Sequence, residues 1–255
     1  MICTEFWTGS GMGNQLSLYV TTRCIALDNG YKWGIMHPER FKGNSFMKLD
    51  FGKEIIGGVS PIEGKPPTEL PKGITSYYWE KYEPDGRYDE YLKKIPDNTK
   101  IDGVMQGEKY FENHKDEIRE WLKVEPLEMP DDLCVINFRG GEYKYVPEFF
   151  LPREYWNTAI LWMKEINPNM RFEVHTDDPE TARQFFDYPI ISNIELNWRA
   201  IRYAKHLIIS NSSFAWFPAW LNTDVKEILA PKFWGRRNKG YWFLEQNQTK
   251  SFTYL

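Results

Sequence analysis

The sequence predicts an α/β protein built on parallel, doubly wound sheets. Three observations carry this expectation. Residues 2–36 read as strand, glycine loop, helix and strand. Beyond Pro130, short apolar runs alternate with helical patterns at the spacing of strand–helix units. Three strands of that second stretch end in polar loops, at 137–142, 176–178 and 211–213. In a parallel sheet such loops share the edge where ligands bind.

The first element is an alternating strand at 2–6, followed by Gly9-x-Gly11-x-Gly13. A helix then runs to about Asp28, with Leu16, Tyr19, Val20, Cys24 and Leu27 on one face, and Asn29-Gly30 stops it. Residues 31–36 form the second strand. The glycine spacing is not that of a dinucleotide fingerprint, and no acidic residue ends the next strand. The loop reads equally as a tight turn that lets the helix pack on the strand. Asn14 and Gln15 place two amides at the helix start, able to bond sugar hydroxyls or phosphate.

Residues 37–100 predict loops and a few short elements, with an extended connection over 61–71, aromatics mixed with charge over 77–91, and an acceptor-facing surface. A short strand and turn at 101–107 precedes an amphipathic helix over 109–123, with Tyr110, Phe111, Ile118, Trp121 and Leu122 apolar. VEPLEMP at 124–130 is the linker, dividing the chain into domains over 1–125 and 131–255. The second domain reads as strand 133–138, helix 153–166, strand 171–176, helix to Phe186, helix 197–205, strand 207–210, helix 211–220 and strand 225–230.

Bulk properties narrow the function. A chain of 255 residues holds one large domain or two small ones, and 42% hydrophobic residues make it globular. The net charge is −4 with no long basic run, so nucleic acid is not an expected partner and any anion site must be local. The 11 Trp, 15 Tyr and 16 Phe are mostly core, and also suit stacking on sugars and nucleobases. Cys3, Cys24 and Cys134 lie in apolar contexts and read as buried free thiols in a reducing compartment. The four His show no metal-ligand spacing. The amino terminus lacks a signal-peptide pattern, and no apolar run reaches the ~18 residues of a membrane span, so a cytoplasmic location is expected. The glycosylation patterns at 211–213 and 247–249 carry no weight without secretion.

The chemistry converges on the second domain. Arg139 offers a planar fork of donors suited to phosphate, and Gly140 and Gly141 let backbone N–H groups approach an anion. Asp177 and Asp178 supply carboxylates, read either as ribose or base ligands or, for one of them, as the cap before Pro179. Asn211, Ser212 and Ser213 open a helix whose amino end attracts anions, or simply cap it. Together these groups fit a nucleotide diphosphate.

Five motifs resemble the α-1,2-fucosyltransferase family, glycosyltransferase family eleven, over nearly the whole chain. They are Gly11-Met12-Gly13-Asn14-Gln15-Leu16, residues 103–111 (GVMQGEKYF), residues 137–143 (NFRGGEY), residues 172–178 (FEVHTDD) and residues 207–221 (LIISNSSFAWFPAWL). The resemblance implies two Rossmann-like domains in a GT-B-type arrangement. It implies metal-independent, inverting transfer from GDP-fucose, with no cofactor, to a glycan hydroxyl, as in a galactoside α-1,2-fucosyltransferase. It places the donor on Arg139, Gly141, Asp177, Asp178, Asn211, Ser212, Ser213 and Phe214, and the acceptor side at Gly13, Asn14 and Gln15. Lipid-linked glycan acceptors would bring the enzyme to a membrane surface. The chain departs from the hallmark H-x-R-R-G-D-Y, where Asn137, Gly140 and Glu142 replace the His, the second Arg and the Asp. Glu142 is the first candidate for the base that deprotonates the acceptor, or else it pairs with Arg139 and orients it; Asn14 is an alternative orienter. Two alternatives remain: transfer of the sugar of another GDP-sugar, or a non-catalytic sugar-nucleotide binder. A dehydrogenase is disfavoured by the off-spacing glycines.

Overall fold

The computed structural model describes residues 1–59, 66–80, 88–233 and 248–255. Parts of the expectations over 61–71, 77–91 and 247–249 lie outside the described residues. The chain divides into two compact units, Met1–Lys123 and Val124–Leu255.

The first unit holds β1 (Ile2–Glu5), α1 (Met12–Asn29), β2 (Trp33–Met36), β3 (Ser76–Trp79) and β4 (Thr99–Asp102). Its four strands are all parallel, in the order β2-β1-β4-β3. Gly9, at φ 88, supplies the left-handed turn between β1 and α1. Gly30, at φ 67, closes α1 by giving its N–H to the last carbonyls. The helix differs from the one-faced pattern expected of it. It packs on β1 and β2 and also meets 3-10 turns at Glu90–Lys94 and Glu108–Tyr110. Residues from Met12 to Ala26 are therefore buried on nearly all sides, Ser17, Thr21 and Thr22 included. Leu27, placed on the apolar face by the sequence, is 50% exposed.

The helix expected over 109–123 is a second correction. Only α2 (Lys115–Trp121) is α-helical. Before it, Glu108–Tyr110 and Glu112–His114 are separate 3-10 turns, broken at Phe111 with φ −148. The Tyr110 hydroxyl donates to Glu80 Oε1 at 2.6 Å, which ties that segment to the residue after β3 and not to a continuous helix.

The second unit contains β5 (Leu133–Phe138), α3 (Arg153–Ile166), β6 (Arg171–Thr176), α4 (Pro179–Phe185), β7 (Ile190–Ile191), α5 (Ile194–Tyr203), β8 (His206–Ile208), α6 (Ser213–Leu221), β9 (Glu227–Ala230) and β10 (Thr253–Tyr254). All six strands run parallel, in the order β10-β9-β8-β5-β6-β7. The chain winds outward from β5 to β7, returns to β8 and winds the other way. The topological switch point thus lies between β5 and β8, where open α/β sheets bind ligands. One face of the sheet buries Cys134, Ile136 and Phe138 of β5 and Val174 of β6 against Trp156, Ala159 and Met163 of α3. Each large apolar side chain buried there contributes about 1.5–3 kcal/mol before entropy is set against it. α6 is apolar around most of its circumference and is buried from Ala215 to Leu221. Among the described residues no helix is long and apolar enough to cross a membrane.

Candidate functional site

The ends of β8, β5 and β6 bring three loops into one edge. Asn137, at the end of β5, accepts from Ser210 Oγ at 2.7 Å. Tyr143 donates its hydroxyl to the Asn211 carbonyl at 3.4 Å. Asn211 Nδ2 donates to the Phe149 carbonyl at 2.9 Å. These bonds join the loop after β5 to the loop after β8.

The loop after β6 is joined as tightly. Arg139 pairs with both Asp177 and Glu142, and its guanidinium carbon lies 5.3 Å from the Tyr143 ring centre. Gly140 N–H donates to Asp177 Oδ1 at 3.0 Å. The Asp177 carboxylate therefore sits where Arg139 and a backbone N–H would hold an anion. Burial pushes its carboxyl above the usual range, against the pull of Arg139. The two glycines have a reason the sequence did not show. A Cβ on Gly140 would lie 2.7 Å from the Asp178 Cβ, and one on Gly141 would run into the Asp177 carboxylate. Gly140 and Gly141 are needed to let the 177–178 loop approach.

Asp178 is engaged internally. It caps α4, accepting from the Thr181 N–H at 3.1 Å and the Thr181 hydroxyl at 2.7 Å, and it receives Lys144 Nζ at 2.8 Å. Burial alone would raise its carboxyl, but Lys144 and Thr181 outweigh burial and hold it below the usual range. Lys144 was not singled out from sequence; it lies on the short turn Gly141–Tyr145, which begins just after Arg139 and Gly140. Ser212 stands at the N-cap of α6 without a side-chain cap bond, Ser213 begins the helix, and Phe214 packs edge-on against Trp198 at 5.7 Å. A cavity of about 210 Å³ opens beside Asn211, lined among others by Glu148, Leu151, Tyr155 and Lys232. It lies on the β9 side of Asn211, opposite to the Asp pair that the sequence favoured for ribose or base.

The remaining sequence-derived residues belong to the first unit. Gly13 is buried within α1 and its carbonyl accepts from Ser17 Oγ at 3.1 Å. Asn14 Oδ1 accepts from Gln106 Nε2 at 2.7 Å. Gln106 follows a turn shaped by Glu80, whose Oε2 accepts the Val104 N–H at 2.9 Å and the Met105 N–H as well. Gln15 is 1% exposed, and its amide is used at both ends: Nε2 donates to the Arg40 carbonyl at 2.9 Å and Oε1 accepts from Lys42 N–H at 3.0 Å. It clamps the loop after β2 and does not offer its amide to a ligand.

Sequence reasoning also missed a buried charge cluster at the carboxyl ends of β1 and β4. Lys100 is fully buried, pairs with Asp102 and lies 3.3 Å from Glu5 Oε2. Burial raises the Asp102 carboxyl to about 6 although Lys100 opposes it. The signal was present as Lys100 and Asp102 at a two-residue spacing on one strand. Among the described residues, no group of three or more His, Cys, Asp or Glu is placed to hold a metal ion.

No protein-family model matches the chain. It is similar to the O-antigen biosynthesis glycosyltransferase WbnK of Escherichia coli, 24% identical over an alignment of 279 residues that covers 88% of this chain and 92% of that protein. It is also similar to an α-1,2-colitosyltransferase of Escherichia coli, 29% identical over 181 residues that cover 59% of this chain and 62% of that protein.

Proposed function

We propose that the chain is a glycosyltransferase that moves fucose from GDP-fucose to a hydroxyl of a glycan acceptor, in the manner of an α-1,2-fucosyltransferase. The observation that carries this reading is the similarity to a glycosyltransferase along nearly the whole chain, joined to a parallel sheet with Arg139 at its switch point. In this reading the two units are Rossmann-like and of GT-B type, the second carrying the donor and the first the acceptor. The acceptor is a glycan of O-antigen synthesis, met at a membrane surface where it is lipid-linked.

Arg139, the N–H groups at the start of α6 and the Gly140 N–H face the diphosphate. As GDP leaves, negative charge grows on its β-phosphate, and donors fixed in advance stabilise it. One such donor is worth ~3 kcal/mol. The diphosphate takes the place that the Asp177 carboxylate fills in the free protein. Glu142 pairs with Arg139, which supports the orienting role over that of acceptor base. The reaction inverts the anomeric centre and uses no metal.

A second reading keeps the chemistry and changes the sugar. Colitose in the name of one relative favours it, as do Asn137, Gly140 and Glu142 at the altered hallmark. The test is incubation with GDP-fucose and lactose, with and without EDTA, reading GDP release and the anomeric configuration of the product. An α-fucoside formed equally with EDTA supports the first reading. Product from another GDP-sugar alone supports the second. No product from any of them refutes both.

A further inference from the structure

The loop that puts Asp177 on Arg139 is anchored from within the second unit. His175 alternates with Val174 along β6, so it turns away from the α3 face and toward α5. It is buried. Its Nε2 lies 2.7 Å from Glu173 Oε1 and its Nδ1 3.0 Å from Asn197 Oδ1. Asn197 Nδ2 donates to the Thr176 carbonyl at 3.1 Å, which aims Oδ1 at the ring. Thr176 in turn holds the loop, because its hydroxyl accepts from the Asp178 N–H at 2.9 Å. A line of bonds thus runs from Glu173 through His175, Asn197 and Thr176 to the loop that faces Arg139.

A carboxylate only accepts, and so does an amide oxygen. Both ring nitrogens therefore face acceptors, and an imidazolium, with a proton on each, is the form that satisfies both. The bond to His175 outweighs burial and holds the Glu173 carboxyl below its usual range. A neutral ring carries one proton, and the charged carboxylate, the stronger acceptor, keeps it on Nε2. Nδ1 is then bare and meets Asn197 Oδ1 lone pair to lone pair. Relief requires Asn197 to turn its amide, and the same turn takes Nδ2 off the Thr176 carbonyl. Asn197 and Thr176 are both buried, so the orphaned carbonyl is costly and the loop shifts to answer it.

The elements packed on β6 are β5, β7, α4 and α5. Asn137 of β5 and Ile191 of β7 stand in register with His175, and neither is charged. The charged residues of the helices are Glu180 and Arg183 on α4 and Glu195, Arg199 and Arg202 on α5. Among the described residues, Glu173 alone forms an ion pair with His175.

We propose that His175 is a positioning residue that latches the 176–178 loop. Protonated on both nitrogens, it holds Thr176 through Asn197 and keeps Asp177 on Arg139; on losing one proton to solvent, it frees the loop and lets the nucleotide diphosphate take Arg139. This rests on the donor site of the glycosyltransferase reading. The sign is opposite to that of Asp177 itself, whose own protonation releases Arg139 as pH falls.

The test has one arm without nucleotide and one with it. In the free protein, the ring signals of His175 are assigned by NMR as those lost in His175→Gln, one of four histidines. The amide signal of Asp178 follows the titration curve of that ring. In the second arm, calorimetry measures GDP-fucose binding between pH 5.5 and 8.5, where the diphosphate diester keeps a constant charge. Affinity rises ~5-fold across the imidazole step, the worth of one hydrogen bond. His175→Gln lacks the step. Glu173→Gln, at a side chain 25% exposed and so tolerant of change, moves the step about one pH unit lower, because the imidazolium loses its counter-charge. A merely structural role for His175 would not move with Glu173. An Asp178 amide that ignores the ring, or a binding step that stays in place in Glu173→Gln, overturns the latch. An amide that follows the ring in a parent protein that binds no GDP-sugar supports the coupling of His175 to the loop and refutes the donor reading.

Discussion

Asp177 Oδ1 accepts the Gly140 N–H at 3.0 Å while the other oxygen of the same carboxylate pairs with Arg139. The donors best suited to a diphosphate are thus occupied by an internal anion. In the proposed reaction, donor binding is an exchange of one anion for another at Arg139.

That exchange predicts the behaviour of Asp177→Asn. Removing the competing charge frees Arg139, so GDP affinity rises, by ~5-fold if about 1 kcal/mol of competition is relieved. Burial holds the Asp177 carboxyl above the usual range, so in the parent protein it takes up a proton at a higher pH than an ordinary aspartate, and GDP binding tightens through that step. Asp177→Asn shows no such step. Calorimetric titration of GDP between pH 4 and 7 reads both effects, and weaker binding by the variant contradicts the exchange.

Asp178 predicts a stability effect of opposite pH sign. Its carboxyl is held below the usual range, so the stability it contributes is present above the unfolded-state value near 3.8 and is lost as pH falls through the folded value. Asp178→Ala removes the α4 cap and costs ~1–2 kcal/mol at neutral pH. Asp178→Asn keeps part of the cap and flattens the acid limb of stability. Urea denaturation at pH 3 and pH 7 separates the two variants.

Gly140→Ala forces a methyl to 2.7 Å from the Asp178 Cβ, whose backbone is fixed by the cap. Overpacking of this kind costs ~1–3 kcal/mol, seen as a lower melting temperature. A variant as stable as the parent would show that the 177–178 loop can retreat.

Gln15→Ala strips the clamp from two part-buried backbone groups, the Arg40 carbonyl and the Lys42 N–H. A hydrogen bond of this kind contributes ~0.5–1.5 kcal/mol, so the loss of two lowers the melting temperature. A melting temperature equal to that of the parent would contradict the clamp.

The second unit was far more legible in the sequence than the first. Residues 133–138, 153–166 and 171–176 coincide with β5, α3 and β6, because each is a long periodic segment between turn residues. The two-residue strands β7 and β10 carry too little pattern to be seen. β3 is an edge strand of half-buried aromatics within a charged stretch, so it lacks the alternation of a solvated face. Lys100 fell in a stretch read as loops and short elements, and its two-residue spacing from Asp102 does not by itself reveal that Glu5 of β1 joins them in a buried cluster. Arg139 and its loops were legible because a Gly-rich turn after an apolar run has a mechanism behind it. The function of Gly140 and Gly141 was not, since it depends on a loop thirty-odd residues on.

The most direct test of the central claim is calorimetric titration of GDP-fucose into the parent protein and into Arg139→Ala. The account predicts saturable one-to-one binding by the parent, unchanged by EDTA, and at least ~10-fold weaker binding by the variant, the loss expected for one charge-assisted contact. Saturable binding of equal strength in both proteins, or no binding of any GDP-sugar by the parent, would contradict it.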